Sequence, residues 1–241
     1  MIRFLRPFDP RRIRLLVFDL DGTLIDSRLD LIQSINATLR HLGRPELPGS
    51  LIASYVGNGA PVLVRRALGD KDADDPVFFQ QALEYFLGYY RQHKLDHTTV
   101  YEGIPEVLAA VANAPNGAGR NEAEPNGVHR LMAVLSNKPV NPSRDILQAL
   151  GLGAFFVRIY GGNSFPTKKP DPVGVLTLLQ ETGVAANEAL MIGDSSIDVL
   201  TGRNAGLWTC GVTYGFAPHT LEEVPPDVLI ESPRELGELL G

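Results

Sequence analysis

Asp19 and Asp21 stand two positions apart and lead into Gly22 and Thr23, directly after the apolar run Ile13–Phe18. Neighbouring carboxylates repel, and a hard cation such as Mg2+, which takes oxygen ligands, relieves that repulsion. A turn closed by an Asx hydrogen bond would use the same residues. A second apolar run, Leu131–Leu135, delivers Ser136, Asn137 and Lys138: a hydroxyl, an amide and a cation, although Ser-Asn also commonly opens a helix. Further on, Lys168 and Lys169 precede Pro170-Asp171-Pro172, where the prolines stiffen the approach to a helix start. Two solvated surface lysines would read the same way. The run Ala189–Ile192 then leads into Gly193-Asp194-Ser195-Ser196-Ile197-Asp198, whose carboxylates, four apart, can share one face at a helix N-terminus. Capping or chance accounts for any one of these segments. It accounts poorly for three strand ends carrying Asp/Asp, Ser/Asn and Asp/Asp, with a lysine between the last two.

Such groups meet only if their strands lie side by side. The runs Ile13–Phe18, Leu131–Leu135, Phe156–Tyr160, Ala189–Ile192, Leu207–Thr213 and Asp227–Ile230 are short, apolar and without alternation, as strands covered on both faces require. Helical stretches separate them. One opens at Asn141-Pro142 and ends at Gly151, another runs from Asp171-Pro172 to Gly183, and a third from Ser195 or Ser196 to Gly206. Alternation of this kind predicts an α/β fold with a parallel sheet and helices on both faces, whose ligands bind at the carboxyl ends of the strands.

From Ser27 to His97 the rhythm changes to helix alone. Leu31, Ile35, Leu39 and Leu42 repeat at helical spacing after a possible Asp26 cap, Val62, Leu63, Arg66 and Ala67 suggest a second helix, and Asp75-Pro76 opens a third with Phe79, Leu83, Phe86, Leu87 and Tyr90 along one face. These stripes read as bundle core. An inserted helical domain over 26–97 is expected, within an α/β core formed by 1–25 and 98–241. Asp21 and Ser136 indeed stand much farther apart than the ~30 residues that a βαβ unit needs. The segment Asn113–Val128, rich in Gly, Pro and Asn, is expected to be an exposed loop.

Composition narrows the classes. In 241 residues the net charge is −6, which argues against broad nucleic-acid binding. No apolar run approaches the ~18 residues of a membrane span. The single cysteine, Cys210, excludes an internal disulfide and a multi-cysteine zinc site, and a reducing cytoplasm is the expected location. The arginine-rich N-terminal arm and the acidic tail from Glu222 onward are expected to be a solvated arm and a solvated last helix.

Taken together, Asp19-Leu20-Asp21-Gly22-Thr23-Leu24, Ser136-Asn137, Lys169 and Gly193-Asp194-Ser195-Ser196-Ile197-Asp198 resemble the four motifs of the haloacid dehalogenase superfamily of phosphatases. The resemblance runs from about Arg14 to Glu231 and implies a Rossmann-like core with a helical cap. Val56-Gly57-Asn58-Gly59-Ala60, Tyr101-Glu102-Gly103-Ile104-Pro105, the stretch Gly161–Pro172 and Thr213-Tyr214-Gly215-Phe216 look like the phosphoglycolate phosphatase subgroup, with Asn163 standing where that subgroup usually has Asp.

The resemblance implies hydrolysis of a small phosphate monoester, 2-phosphoglycolate first. Asp19 would be the nucleophile that forms an aspartyl-phosphate. Asp21 would protonate the leaving alkoxide and then deprotonate the attacking water. It further implies Mg2+ held by Asp19, the backbone carbonyl of Asp21 and Asp194. Lys169, Ser136 and the loop amides near Gly22, Thr23 and Asn137 would bind the phosphoryl group, and Asp198 and Ser195 would support them. A sugar phosphomutase, a phosphatase of another metabolite and a non-enzymatic phosphate-ligand-binding regulator are the alternatives. The partner expected is a small-molecule ester, with no nucleic acid and no membrane.

Overall fold

A computed structural model describes residues 1–7, 9–113 and 130–240. In chain order the elements are β1 Arg3–Phe4, β2 Leu15–Phe18, β3 Ile25–Asp26, α1 Arg28–His41, α2 Gly49–Ser54, α3 Ala60–Leu68, α4 Asp70–Ala73, α5 Pro76–His93, β4 Thr99–Val100, α6 Ile104–Asn113, β5 Leu131–Leu135, α7 Val140–Ala149, β6 Arg158–Tyr160, α8 Val173–Thr182, β7 Ala189–Gly193, α9 Ser196–Asn204, β8 Trp208–Val212, β9 Val228–Ile230 and α10 Pro233–Leu240. Apart from Asn113, which ends α6, the expected loop Asn113–Val128 lies outside the described residues.

Seven strands form one sheet in the order β1-β9-β8-β7-β2-β5-β6, parallel except at β1. The central strand β2 pairs with β5 on one side and β7 on the other, setting Phe18 opposite Val134 and Ile192. Period-two alternation sorts its residues to two faces. Leu16 and Phe18 join an apolar cluster with Leu108 of α6, Ile146 of α7 and Leu236 of α10. Leu15 and Val17 join a second cluster with Val175 and Leu178 of α8. A strand filled on both faces has no room for polar side chains until it ends, so the first polar groups appear at its carboxyl edge.

Helices α1, α2, α3 and α5 build a third apolar cluster of their own, from Leu31, Ile35, Ile52, Leu63, Phe86 and Tyr90 among others. The antiparallel pair β3–β4 carries the chain out of the sheet layer and back, with Ile25 opposite Val100. Asp75 caps α5 by accepting from the Val77 and Phe78 amides. Ser27, rather than Asp26, occupies the cap position of α1, while Asp26 accepts from the Arg28 amide.

Three further local expectations change. Helix α7 starts at Val140, ahead of Asn141-Pro142, because Asn163 reaches across from after β6 and accepts from the Val140 amide at 2.8 Å. The N-terminal arm is not merely solvated: β1 adds an antiparallel edge to the sheet, the Met1 ammonium lies 2.8 Å from Glu231, and Arg6 pairs with buried Asp227 at 2.9 Å. The last helix buries Leu236, Leu239 and Leu240.

Candidate active site

The sheet register brings the polar groups together. Asp19 follows β2 directly and its amide donates to the Ile192 carbonyl of β7, while the Ser136 amide at the end of β5 donates to the Tyr160 carbonyl of β6. Asp194 follows β7. Asp19, Ser136 and Asp194 therefore share one sheet edge although they come from distant parts of the chain.

Asp19, Asp194 and Asp198 are buried, and each offers a carboxylate oxygen within 4.8 Å of the others. Lys169 lies among them, its ammonium 2.7 Å from Asp19 Oδ1 and 2.6 Å from Asp198 Oδ1. Burial disfavours the Lys169 charge, but the two carboxylates outweigh burial and raise its pKa above that of an ordinary lysine. Burial likewise pushes the Asp19 carboxyl up to about 6, with Lys169 pulling it back. Asp194 rises to about 8 through burial and the nearby charges of Asp198 and Asp19, against the pull of the Phe216 and Ala217 amides that donate to its Oδ2. Burial and mutual repulsion penalise these negative charges, and a divalent cation would relieve that penalty by binding the ionised carboxylates as hard oxygen donors.

Asp198 is fixed by its helix. Ser195 caps α9, the Ser195 hydroxyl donates to Asp198 Oδ2 at 2.6 Å and the Ser195 amide donates to the same oxygen at 3.2 Å. The other oxygen is left for Lys169. Gly22 is required by space as well as by conformation: its φ is +87°, and a Cβ there would come within 2.3 Å of Asp194 Oδ2. Thr23 is fully buried, and its carbonyl accepts from the Tyr214 hydroxyl at 3.0 Å.

Asp21 faces the other way. Its Oδ1 accepts from the Ser27 hydroxyl at 2.5 Å and its Oδ2 pairs with Lys138 Nζ at 2.9 Å. Lys138 is itself buried; burial disfavours its charge, but Asp21 overrides this and raises its pKa. A cavity of about 400 Å3 opens in front of Asp19, Asp21 and Ser136, roofed by Leu63, Phe86 and Tyr90 of the helical block. The block also touches the sheet edge directly. The Asn137 amide group donates to the Gly57 carbonyl at 3.0 Å and to the Lys169 carbonyl at 3.2 Å, and Lys168 Nζ donates to the Asn58 carbonyl at 2.6 Å. The two adjacent lysines thus separate: Lys169 enters the carboxylate cluster and Lys168 holds the roof loop.

The sequence places Lys138 at this edge as a cation, but its pairing with Asp21 and the presence of Arg91 on the cavity wall emerge only in three dimensions. Of the other cations in the helical block, Arg40, Arg44 and Arg65 pair with Glu46, Asp72 and Asp74, and Arg66 donates to the Tyr55 carbonyl. Cys210 is buried in the core. Among the described residues, no helix is long and apolar enough to cross a membrane.

The chain is similar to known proteins in sequence and in fold. The family model for haloacid dehalogenase-like hydrolases matches residues 13–206. A phosphoglycolate phosphatase of Pseudomonas savastanoi pv. phaseolicola is 37% identical over 227 residues, which is 92% of this chain and 78% of that protein. One of Vibrio vulnificus is 35% identical over 239 residues, covering 95% of this chain and 97% of the relative. Among solved structures, that of a predicted phosphoglycolate phosphatase from Haemophilus somnus is similar with a TM-score of 0.85 at 28% identity, covering 95% of this chain and 99% of the other.

Proposed function

Because the chain belongs to the haloacid dehalogenase-like hydrolase family, we propose that it hydrolyses a small phosphate monoester, 2-phosphoglycolate, to glycolate and phosphate. The observation that carries this is the Lys169 ammonium held between Asp19 and Asp198 beside a third buried carboxylate, with Asp19 itself lining the cavity beneath the helical block. The substrate assignment is supported by the phosphoglycolate phosphatases that are more than a third identical across most of the chain.

In this mechanism Asp19 attacks phosphorus and forms an aspartyl-phosphate, so that one displacement becomes two easier ones. Asp21 gives a proton to the departing glycolate oxygen and then takes one from the water that attacks the intermediate. Ser136, Lys169 and amides near Gly22 and Asn137 hold the phosphoryl oxygens and stabilise their charge in the transition state; the Gly22 and Thr23 amides themselves are taken by the Ile25 and Leu20 carbonyls. Asp198, with Ser195 behind it, orients Lys169. The donor chemistry fits a hard cation, and Asp19, Asp194 and the Asp21 carbonyl would hold Mg2+. When bound, that ion neutralises charge so that an anionic nucleophile can approach an anionic phosphoryl group.

Residues 26–97 act as a cap on the core formed by 1–25 and 98–241, excluding water from the phosphoenzyme. A cytoplasmic location suits a chain whose one cysteine is buried and reduced. Phosphate release with Mg2+ across 2-phosphoglycolate, sugar phosphates and nucleotides tests the assignment. A clear preference for 2-phosphoglycolate is expected. Flat, weak rates across the panel would overturn it, and isomer formation from a sugar phosphate would point to a mutase.

A further inference from the structure

Lys138 is a buried cation whose position the phosphoryl chemistry does not explain. Lys169 already supplies the ammonium beside the nucleophile. Lys138 Nζ instead lies 2.9 Å from Asp21 Oδ2 and 4.7 Å from the centroid of the Tyr90 ring, which the helical block lowers onto it. Ser27 holds the other oxygen of Asp21, so the Lys138 contact fixes the remaining one. Both Lys138 and Tyr90 line the cavity of about 400 Å3 in front of Asp21. Burying an ammonium is unfavourable, and a partner carboxylate plus an aromatic face offset part of that cost. A merely structural contact could be replaced by apolar packing at no loss of stability.

The chemistry of the substrate supplies a use. In 2-phosphoglycolate one methylene joins the leaving oxygen to the carboxylate. If Asp21 protonates that oxygen, the carboxylate must lie within a few ångströms of Asp21, and therefore next to the cation bonded to it. Resting on the phosphatase activity proposed above, we propose that Lys138 is the specificity determinant for a carboxylate-bearing leaving group: its ammonium bridges Asp21 and the substrate carboxylate, under the Tyr90 ring. An ester with a neutral tail leaves this desolvated cation with one anionic partner where a carboxylated ester gives it two. The difference appears in the choice among substrates, beyond any general loss of rate.

The test compares kcat/KM for 2-phosphoglycolate with that for ethyl phosphate, which has a similar size and no carboxylate, in wild type, Lys138→Met and Lys138→Arg. Both esters share whatever the lost Asp21 contact costs; only the first carries the carboxylate contact. The preference of wild type for 2-phosphoglycolate is expected to fall roughly 10- to 100-fold in Lys138→Met, the range for a charge-assisted hydrogen bond, largely through KM, and to recover in part in Lys138→Arg. An equal loss for both esters, with the preference unchanged, would overturn the role of Lys138. Should Lys138→Met fail to fold by circular dichroism, Lys138→Gln, which keeps a polar group against Asp21, is read by the same ratio. The outcome also separates the two levels of the account. A wild type that prefers another carboxylated ester, 3-phosphoglycerate for example, refutes the substrate assignment, and the ratio of that ester to its neutral analogue then tests Lys138. A wild type indifferent to the carboxylate refutes both.

Discussion

Lys169 Nζ lies 2.7 Å from Asp19 Oδ1, although 150 positions of chain separate the two residues. Burial raises the Asp19 pKa and disfavours a charged Lys169, yet the pair survives because each stabilises the charge of the other and Asp198 adds a second anion at 2.6 Å. Asp19, the proposed nucleophile, is thereby kept against a fixed cation.

Replacing Lys169 by Met leaves Asp19 and Asp198 buried without their cation. Breaking a buried pair costs about 3–5 kcal/mol, and losing the phosphoryl contact is expected to lower kcat about 100- to 1,000-fold. Adding Asp198→Asn should restore most of the stability and none of the activity. Melting curves and initial rates of the two variants check both halves.

The raised carboxyl pKa values set the pH dependence of the metal-free protein. Asp19 and Asp194 move from 3.8 to about 6 and about 8 on folding. Between those limits these two carboxyls bind more protons in the folded than in the unfolded state, so their own contribution to stability is fully present below about pH 4 and is lost as pH rises towards about 8. Near pH 8 without metal, Asp194→Asn should melt roughly 3–6 °C above wild type, equivalent to about 1–2 kcal/mol. Saturating Mg2+ should stabilise wild type and leave the variant little changed. Differential scanning calorimetry at the two pH values, with and without Mg2+, checks the sign.

Gly59 sits at φ +82°, and a Cβ there would come within 2.9 Å of the Asn137 carbonyl oxygen; at Gly43, φ +66°, nothing lies within 4 Å. Alanine at either position strains the backbone by about 1 kcal/mol. Only Gly59→Ala should displace the phosphate-side loop, lowering kcat/KM roughly tenfold where Gly43→Ala leaves it unchanged. Paired kinetics and thermal melts of the two variants separate strain from displacement.

Asp30 is buried in α1, and its carboxylate accepts from the His97 amide at 3.0 Å, the Thr98 amide at 2.9 Å and the Thr98 hydroxyl at 2.7 Å. It ties the outgoing helix to the returning link. Asp30→Ala should cost about 2–4 kcal/mol in urea unfolding by leaving those donors buried and unpaired, and Asp30→Asn less.

What could be read from the sequence follows from how locally each feature is encoded. The parallel strands are visible because a strand covered on both faces must be apolar throughout, and Asp19, Ser136 and Asp194 are visible because they end such runs. Asp75 and Ser195 are legible as caps, since a cap and its helix are contiguous. Asn163 capping α7, Asp30 holding Thr98 and Lys138 pairing with Asp21 are settled by contacts between distant segments, and no local pattern announces them. The edge strand β1 is hidden for another reason: its two residues carry no apolar run, and β9 recruits them.

Asp19 is proposed to carry the phosphoryl group during turnover. Acid-quenched turnover of phosphoryl-labelled 2-phosphoglycolate with Mg2+, followed by digestion and mapping, tests it most directly. The label is predicted on the peptide containing Asp19, released by hydroxylamine as an acyl phosphate would be, and absent from an Asp19→Asn variant that folds normally and does not turn over. Label on another residue, or substantial Mg2+-dependent turnover by Asp19→Asn, would contradict it.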